Sequence, residues 1–285
     1  MIPIRIIRRR IRSIKSTAKI TKAMEMIAAS KMRQAQLRVL AARPYSEKMR
    51  EVLANLAAQP RTDGDSHPLL QLREVKRITV IHVSTDRGLC GGLNANMNRR
   101  TASFILEQSL PVNLVTVGRK GRDFMSRYGR DIRAEFTQLG DKPTLVDTTP
   151  ISRVVIDDYT NKRIDQVYLA YTQFITTVTQ RPVLQKLLPI EPAKIERAEN
   201  IEYIYEPSAY MVLRELLPRY VEMQVYHAIL ESIASEQSIR MVAMRNATDN
   251  ANEMIEDLTL IYNKARQELI TKELLDIAGG IVTLT

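Results

Sequence analysis

Few residues of this 285-residue chain have the type and spacing that catalysis or metal binding requires. The single cysteine, Cys90, cannot form a disulfide within the chain, and the three histidines (His67, His82 and His227) are not spaced as a zinc site. No glycine is followed by lysine, so the phosphate-binding loop GxxxxGK[ST] is absent, as are GxSxG, HExxH and GxGxxG. The sequence therefore excludes a P-loop nucleotidase, contains no motif for nucleophilic, metal or dinucleotide chemistry, and predicts no metal and no cofactor.

One segment, Ser84 to Asn98 (STDRGLCGGLNANMN), follows a predicted strand and opens a predicted helix. An α/β sheet often binds ligands at such a point. The glycine spacing matches no nucleotide fingerprint, so a packing turn is the simpler interpretation. A small-ligand site, or an enzyme that uses this loop, is the alternative. Cys90 is likewise expected to be an inert small residue unless a base lies nearby.

Two long helices are predicted at the ends of the chain. Residues 4–43 and 219–278 contain neither glycine nor proline. Around and along the second run, seam residues that are mostly apolar recur alternately four and three positions apart for more than seven heptads. This spacing is the repeat of a coiled coil. The seam positions are Leu216, Tyr220, Met223, His227, Leu230, Ala234, Gln237, Met241, Met244, Thr248, Ala251, Ile255, Leu258, Tyr262, Ala265 and Leu269.

The first run has the same repeat and then a predicted shift of phase. The repeat includes Ile4, Ile7, Ile11, Ile14 and Ala18, followed by Ile20, Met24, Ile27 and Met32. Residues 1–50 hold fourteen Lys or Arg and two acids, whereas residues 209–278 hold seven and eleven. These opposite charges favour pairing, although apolar burial must supply most of the stability. An antiparallel pair is the economical topology, and a parallel pair stays open.

The middle of the chain changes period and predicts an α/β domain. Strands are predicted at 76–83, 111–117 and 165–171, and helices at 94–108, 119–127 and 152–162. Their alternation favours a mostly parallel, open, Rossmann-like sheet. The predicted division is an N-terminal coiled-coil helix (1–60), a linker (61–75), a central α/β domain (76–195), a connector (196–208) and a C-terminal coiled-coil helix (209–285).

Composition narrows the class of protein. Apolar residues make up 45% and charged residues 26%, which excludes a wholly disordered chain, and no run approaches the length of a membrane span. The net charge of +10 suggests an acidic or anionic partner. The Arg-rich start could be a transit peptide, but it continues directly into the helix. A basic α/β adaptor that binds nucleic acid or an anionic surface through its coiled coil is the alternative function.

Three segments carry a resemblance to a known family. They are IRSIKSTAKITKAMEMIAASKMR (11–33), STDRGLCGGLNAN (84–96) and ELLPRYVEMQVYHAILESIASEQSIRMVAMRNATDNA (215–251), and LIYNKARQELITKELLDIAGG (260–280) agrees as well. In these the chain resembles the gamma subunit of the bacterial-type rotary ATP synthase. It departs at Arg245, where the family usually has Lys, at Asp276, where it has Glu, and at Ile281 and Val282, where it has small residues.

The resemblance implies a non-catalytic shaft. Its terminal helices would form an antiparallel coiled coil inside a head of three alpha and three beta subunits. It would meet the epsilon subunit and the membrane ring of c subunits, and it would bind no nucleic acid. The complex would lie at the cytoplasmic face of a bacterial cell membrane, reached through partners. The shaft would couple ion flow to ATP synthesis or hydrolysis.

The resemblance also implies contact residues. Those expected to meet beta subunits are Met24, Arg240, Gln267, Thr271 and Glu273. Tyr205 and Glu206, within YIYEP, are expected to meet the rotor ring or the epsilon subunit. The apolar tail GGIVTLT would be either a frayed end or a segment inserted into a hydrophobic socket.

Overall fold

The computed structural model describes residues 3–58, 67–191, 205–206 and 208–282, without the side chains of some helical residues such as 276–282. The chain divides into two compact units. The two-helix unit comprises Met1–Ala28 and Arg240–Thr285, and the α/β unit comprises Ala29–Ile239. The expected linker at 61–66, most of the connector and the last three residues lie outside the described part. The five-part domain division stays a prediction.

Two long helices begin and end the described chain. Helix α1 spans Ile4–Ala58 and helix α5 spans Ala209–Val282. Both helices are longer than the segments without glycine and proline from which they were predicted. Helix α1 includes Pro44, and α5 includes Pro218 and the glycines at 279 and 280. A proline removes one backbone hydrogen bond, and a helix held by its apolar face can tolerate that loss. None of the described helices is long and apolar enough to cross a membrane.

A five-stranded sheet forms the centre of the α/β unit. Its strands are β1 (Ile78–Val83), β2 (Val112–Val117), β3 (Ile132–Phe136), β4 (Gln166–Phe174) and β5 (Gln180–Leu188). The spatial order is β3-β2-β1-β4-β5. All neighbours are parallel except β4 and β5, which pair antiparallel. The expected open, mostly parallel sheet is confirmed.

Helices cover both faces of the sheet. On one face, α2 (Leu93–Glu107) and α3 (Arg119–Arg127) bury a core that includes Val80, Leu114 and Met97. On the other face, α4 (Leu145–Thr160) and the α/β-unit parts of α1 and α5 pack on Ile81 and Val115. Neighbouring strand residues such as Val80 and Ile81 thus point to opposite faces, and both are fully buried. Burial on both faces explains why apolar residues point to both sides of β1 and β2, as at Val80–Ile81 and Leu114–Val115.

Three elements differ from the sequence prediction. Strands β3 and β5 were not predicted, because both are edge strands with weak apolar patterns, and β5 contains Pro182. Helix α4 begins seven residues before the predicted start at 152 and runs through Pro150. Its beginning is a capping box, in which the backbone N–H and the hydroxyl of Thr144 each donate to the Asp147 carboxylate at 2.7 Å.

The predicted shift of phase in α1 is wrong. Ile20 and Ile27 are 61% and 54% exposed, whereas the unshifted heptad continues through Thr21, Glu25 and Ala28, which are buried or half-buried. Two polar residues therefore occupy seam positions. A heptad assigned from apolar residues alone leaves out these two polar positions. For that reason the sequence pattern suggested a shift of phase.

The two helices of the two-helix unit run antiparallel, as predicted. Thr21 forms a hydrogen bond with Thr248, and Glu25 forms one with Arg245. A higher residue number on α1 is thus paired with a lower number on α5, which is the pattern of antiparallel helices. The predicted seam of α5 is also supported, since Met244, Thr248 and Ala251 are buried. The two long terminal helices form a coiled coil.

Candidate partner-contact surface

A polar layer interrupts the seam of the two-helix unit. The hydroxyls of Thr21 and Thr248 lie 2.7 Å apart. One turn further along α1, the Glu25 carboxylate accepts hydrogen bonds from Lys22 Nζ and Arg245 Nε, each at 3.0 Å. Glu25 is only 6% exposed. The bonds from Lys22 and then Arg245 lower the pKa of Glu25 below its ordinary value.

Met24 and Arg240, two of the predicted contact residues, lie on different helices of this unit. Met24 is half-buried beside the polar layer, and Arg240 is buried on α5 with its own side-chain partner. The Glu25–Arg245 bond places Met24 beside the part of α5 around residue 245. Five residues of helix separate Arg240 from Arg245, or about 7 Å along the axis. The two-helix unit therefore brings Met24 and Arg240 close together along its axis.

Gln267, Thr271 and Glu273, the other three, lie far from that pair. Thr21 lies opposite Thr248. If the seam positions of the two antiparallel helices are paired from there onward, Ile4, the first residue of α1, lies opposite Ala265. Residues 266–275 thus extend past the start of α1, and all of them are exposed. Four large apolar side chains are exposed with them: Leu269, Ile270, Leu274 and Leu275. An exposed apolar cluster of this kind is typical of an interaction site.

Tyr205 and Glu206 belong to the α/β unit. Tyr205 is half-buried and packs against the apolar core beneath α4 and α5, while Glu206 is exposed. Burial raises the pKa of the Tyr205 phenol. Of the two, Glu206 has the side chain that is open to a partner.

A basic surface covers the α1 side of the two-helix unit. Eight cations lie between residues 5 and 22, and Lys22 alone among them has an ion pair within the described chain. Four of them (Arg8, Arg12, Lys15 and Lys19) line a groove of about 510 Å³ with Thr259 and Tyr262 of α5. The ion pair Arg245–Glu25 joins the helices of this unit, with the acid on the basic helix. Its sense is opposite to the predicted attraction between a basic α1 and an acidic α5.

The glycine-rich segment at 84–98 is held by packing contacts. The Asp86 carboxylate accepts from the N–H groups of Arg119 at 3.0 Å and Gln138 at 2.9 Å, and so ties the loop to the start of α3. Cys90 is buried, and Asn94 donates to its sulfur at 3.4 Å. The adjoining cavity is about 50 Å³, well below the roughly 300–1,000 Å³ of small-molecule sites. These contacts favour the packing turn over the ligand site.

A buried polar cluster under α2 and α3 was not predicted. His82 of β1 is fully buried, with its ring nitrogens 3.0 Å from the Thr101 hydroxyl and 2.9 Å from the Asn98 amide oxygen. Burial lowers the pKa of His82 to about 4, and the Asn98 bond opposes the shift. No sequence signal marks the cluster except the polar residues 98 and 101, one turn apart on the inner face of α2.

Comparison with known proteins covers the whole chain. The sequence model of the family described as ATP synthase matches residues 3–284. An ATP synthase gamma chain of Dehalococcoides mccartyi is 63% identical over 284 residues, with 100% of both chains covered. One of Chloroflexus aurantiacus is 50% identical over 283 residues, with 98% of each chain covered.

The chain belongs to the ATP synthase gamma chain family.

Solved structures agree with the gamma-chain fold. A chain of the Tetrahymena thermophila mitochondrial ATP synthase, from its central stalk and c-ring, is 28% identical with a TM-score of 0.62. It covers 80% of this chain and 99% of its own length. A chain of the Euglena gracilis mitochondrial ATP synthase has a TM-score of 0.70 at 20% identity and supports the fold alone.

Family membership decides between the functions that the sequence left open. A gamma chain is a non-catalytic subunit of ATP synthase, and the Tetrahymena thermophila structure that resembles this chain is described as central stalk and c-ring. The full-length match does not favour a basic adaptor for nucleic acid or anionic surfaces. The positions predicted to contact individual subunits stay predictions.

Proposed function

We propose that the two-helix unit turns inside a head of three alpha and three beta subunits and transmits torque between that head and a membrane ring of c subunits. The observation that carries the proposal is the antiparallel seam of this unit, in a chain 63% identical to a gamma chain over its full length. From Arg240 to Val282, α5 runs for about 65 Å without a break. Many distributed seam contacts resist twisting together.

The proposed mechanism requires an asymmetric shaft. Three equivalent catalytic subunits adopt different conformations only if the shaft makes different contacts with each of them. The two-helix unit has such different sides, because α1 presents a row of cations whereas the end of α5 presents an apolar cluster. Rotation then moves each subunit through the three conformations in turn, and ATP is made or hydrolysed on those subunits.

Two separate zones of the two-helix unit would contact the beta subunits. Met24 and Arg240 form the zone beside the polar layer, and Gln267, Thr271 and Glu273 lie on the exposed end of α5. The basic surface of α1 suits an acidic partner face. The exposed cluster around Leu274 suits a hydrophobic socket, because apolar side chains left in water would otherwise favour aggregation.

Contact with the rotor ring and the epsilon subunit would fall on the α/β unit. Glu206 is the exposed candidate, and Tyr205 would hold the backbone in place through its packing on the core. The complex would lie at the cytoplasmic face of a bacterial membrane, with this chain attached through its partners. No cofactor would bind to the chain itself.

Reconstitution with purified alpha and beta subunits tests this proposal. Val146 on α4 is 79% exposed, so a Val146→Cys variant in a Cys90→Ser background offers a single accessible thiol for a rotation probe. We expect ATP-dependent stepwise rotation that requires this chain. A matched variant truncated after Thr248 retains the α/β unit but loses most of the seam, and it should give no sustained rotation. Absence of both complex and rotation with the full chain would overturn the proposal.

A further inference from the structure

The polar layer in the seam of the two-helix unit is more than the pairing of two apolar faces requires. Six of the eight seam positions of α1 in this unit are apolar, and the remaining two are Thr21 and Glu25. A carboxylate that leaves water loses solvation free energy, which its partners must offset. An apolar residue at position 25 would avoid that loss. The layer therefore calls for an explanation other than stability.

The hydrogen bonds of the layer depend on one alignment of the helices. The Thr21 and Thr248 hydroxyls lie 2.7 Å apart, and either can donate to the other, since each also lies within hydrogen-bond distance of a carbonyl of its own helix. The Glu25 carboxylate forms an ion pair with Lys22 of its own helix and another with Arg245 of the other helix. Both bonds between the helices exist only when residue 21 lies opposite residue 248.

The apolar part of the seam does not discriminate between alignments. A slide of one heptad would still place aliphatic residues opposite one another, with Ala18 facing Leu258. The same slide would place Thr21 opposite Ile255 and Glu25 opposite Ala251. Glu25 would then be buried without Arg245, at a considerable cost in free energy. Buried polar residues are known to specify the register of coiled coils in this way.

We propose that Thr21, Glu25, Arg245 and Thr248 form a register lock, which selects one alignment of α1 and α5 and thereby determines which residues of α5 lie beside Met24. The alignment itself is a property of this chain alone. Only its consequence for a contact made by Met24 rests on the proposed function.

Paired cysteines in the full chain can measure the alignment directly. In a Cys90→Ser background, Ala18→Cys with Ala251→Cys reports the native register, and Ala18→Cys with Leu258→Cys reports a slide of one heptad. Disulfide formation is measured at equilibrium in a glutathione buffer. With the lock intact, we expect the native pair to be oxidised at least tenfold more than the shifted pair.

The variant that tests the lock replaces its four residues with apolar ones (Thr21→Val, Glu25→Leu, Arg245→Leu and Thr248→Val). We expect it to stay helical while the native-to-shifted ratio falls at least tenfold. An unchanged ratio would overturn the proposal. If this variant loses its cooperative unfolding transition, the single variant Glu25→Ala replaces it in the test. We expect the native-to-shifted ratio to fall in Glu25→Ala, and an unchanged ratio would again contradict the lock.

Two controls separate register from stability. Ile14→Ala weakens the seam without touching the lock, so it should lower the unfolding temperature and leave the ratio unchanged. Reversing the charges with Glu25→Arg and Arg245→Glu, together with Lys22→Gln, should restore the ratio that Glu25→Ala loses. The measurement needs no other subunit, so failure of the lock and failure of the rotary function give different results.

Discussion

His82 is an ionisable side chain held without charge at the centre of the α/β unit. Its ring is fully buried between Thr101 and Asn98, and burial lowers its pKa to about 4. Nε2 donates to the Asn98 amide oxygen, and the Thr101 hydroxyl can donate to Nδ1 of the neutral ring, so the uncharged form satisfies both hydrogen bonds. The cluster joins β1 to α2 and makes the unit sensitive to acid.

We expect the stability of the α/β unit to fall as the pH is lowered from about 6.5 to 4. The unfolded chain binds a proton on His82 near pH 6.5, whereas the folded chain does so only near 4, so protonation favours unfolding in that window. The loss is on the order of 3 kcal/mol. Urea unfolding at several pH values measures it. A His82→Gln variant should lack this part of the pH dependence, and an equal slope in the variant would contradict the assignment.

Met24 lies half-buried beside the register lock, where an added charge would reach a partner. If a beta subunit presents an acidic loop there, Met24→Lys should form an extra ion pair and hold the shaft in one orientation. We expect ATP-driven ion pumping to fall several-fold more than ATP hydrolysis, measured on reconstituted complexes. Met24→Leu is the uncharged control and should change neither. Equal losses of both activities in Met24→Lys would contradict this role.

Among the elements of the fold, α3 shows how closely a helix can approach a strand when glycine permits it. At Gly118 (φ +90°) and Gly121, an added Cβ would lie 2.3 Å from the Ser84 carbonyl oxygen and 2.5 Å from the His82 ring, respectively. The Gly121 N–H donates to the Ser84 hydroxyl at 2.8 Å. The start of α3 therefore rests directly on the end of β1.

Gly121→Ala should lower the free energy of unfolding by about 1–3 kcal/mol, because the new methyl group must displace the His82 ring or the helix. Denaturant unfolding with a two-state fit measures the change. Gly88→Ala is the matched control, since a Cβ there meets nothing within 4 Å. Similar losses in both variants would mean that the close approach is not the cause.

The boundaries of the elements show where sequence reasoning succeeds. Strands β1, β2 and β4 and helices α2 and α3 lie close to their predicted ranges. The central strands are recognisable because they are rich in β-branched and apolar residues that are buried on both faces of the sheet. The edge strands β3 and β5 lack that signal. The predicted start of α4 at residue 152 is too late, because the capping box at Thr144 and Asp147 determines the start of the helix.

In the chain as a whole, the end of α5 is distinct because it has no partner helix. All side chains from residue 266 to residue 275 are exposed, including four large apolar ones. Such a segment buries nothing when the chain folds alone. It would gain an apolar environment only in an assembly.

Removal of residues 266–285 should change the free energy of unfolding of the isolated chain by less than about 1 kcal/mol, since the side chains of residues 266–275 are exposed and contribute little. The truncated chain should also aggregate less, because Leu269, Ile270, Leu274 and Leu275 are gone. Thermal unfolding and light scattering measure the two effects. Truncation after Thr248 removes seam residues from Ala251 onward and should destabilise the unit strongly. A large loss from the shorter truncation would reveal packing that the exposed side chains do not explain.

Periodicity and motifs alone determined much about this protein. They predicted the two terminal helices and the mostly parallel sheet, because burial imposes a repeat on the sequence that can be recognised without coordinates. They favoured an antiparallel pair of helices but left a parallel pair open. The absence of a phosphate-binding loop and the segments at 11–33 and 215–251 indicated a non-catalytic member of a rotary complex.

Tertiary structure decided the contacts between residues far apart in the chain. Thr21 and Glu25 looked like an interruption of the heptad, and only their bonds to Thr248 and Arg245 make them part of it. A polar residue tolerates burial only when a partner reaches it, and the fold brings that partner from more than 200 positions away.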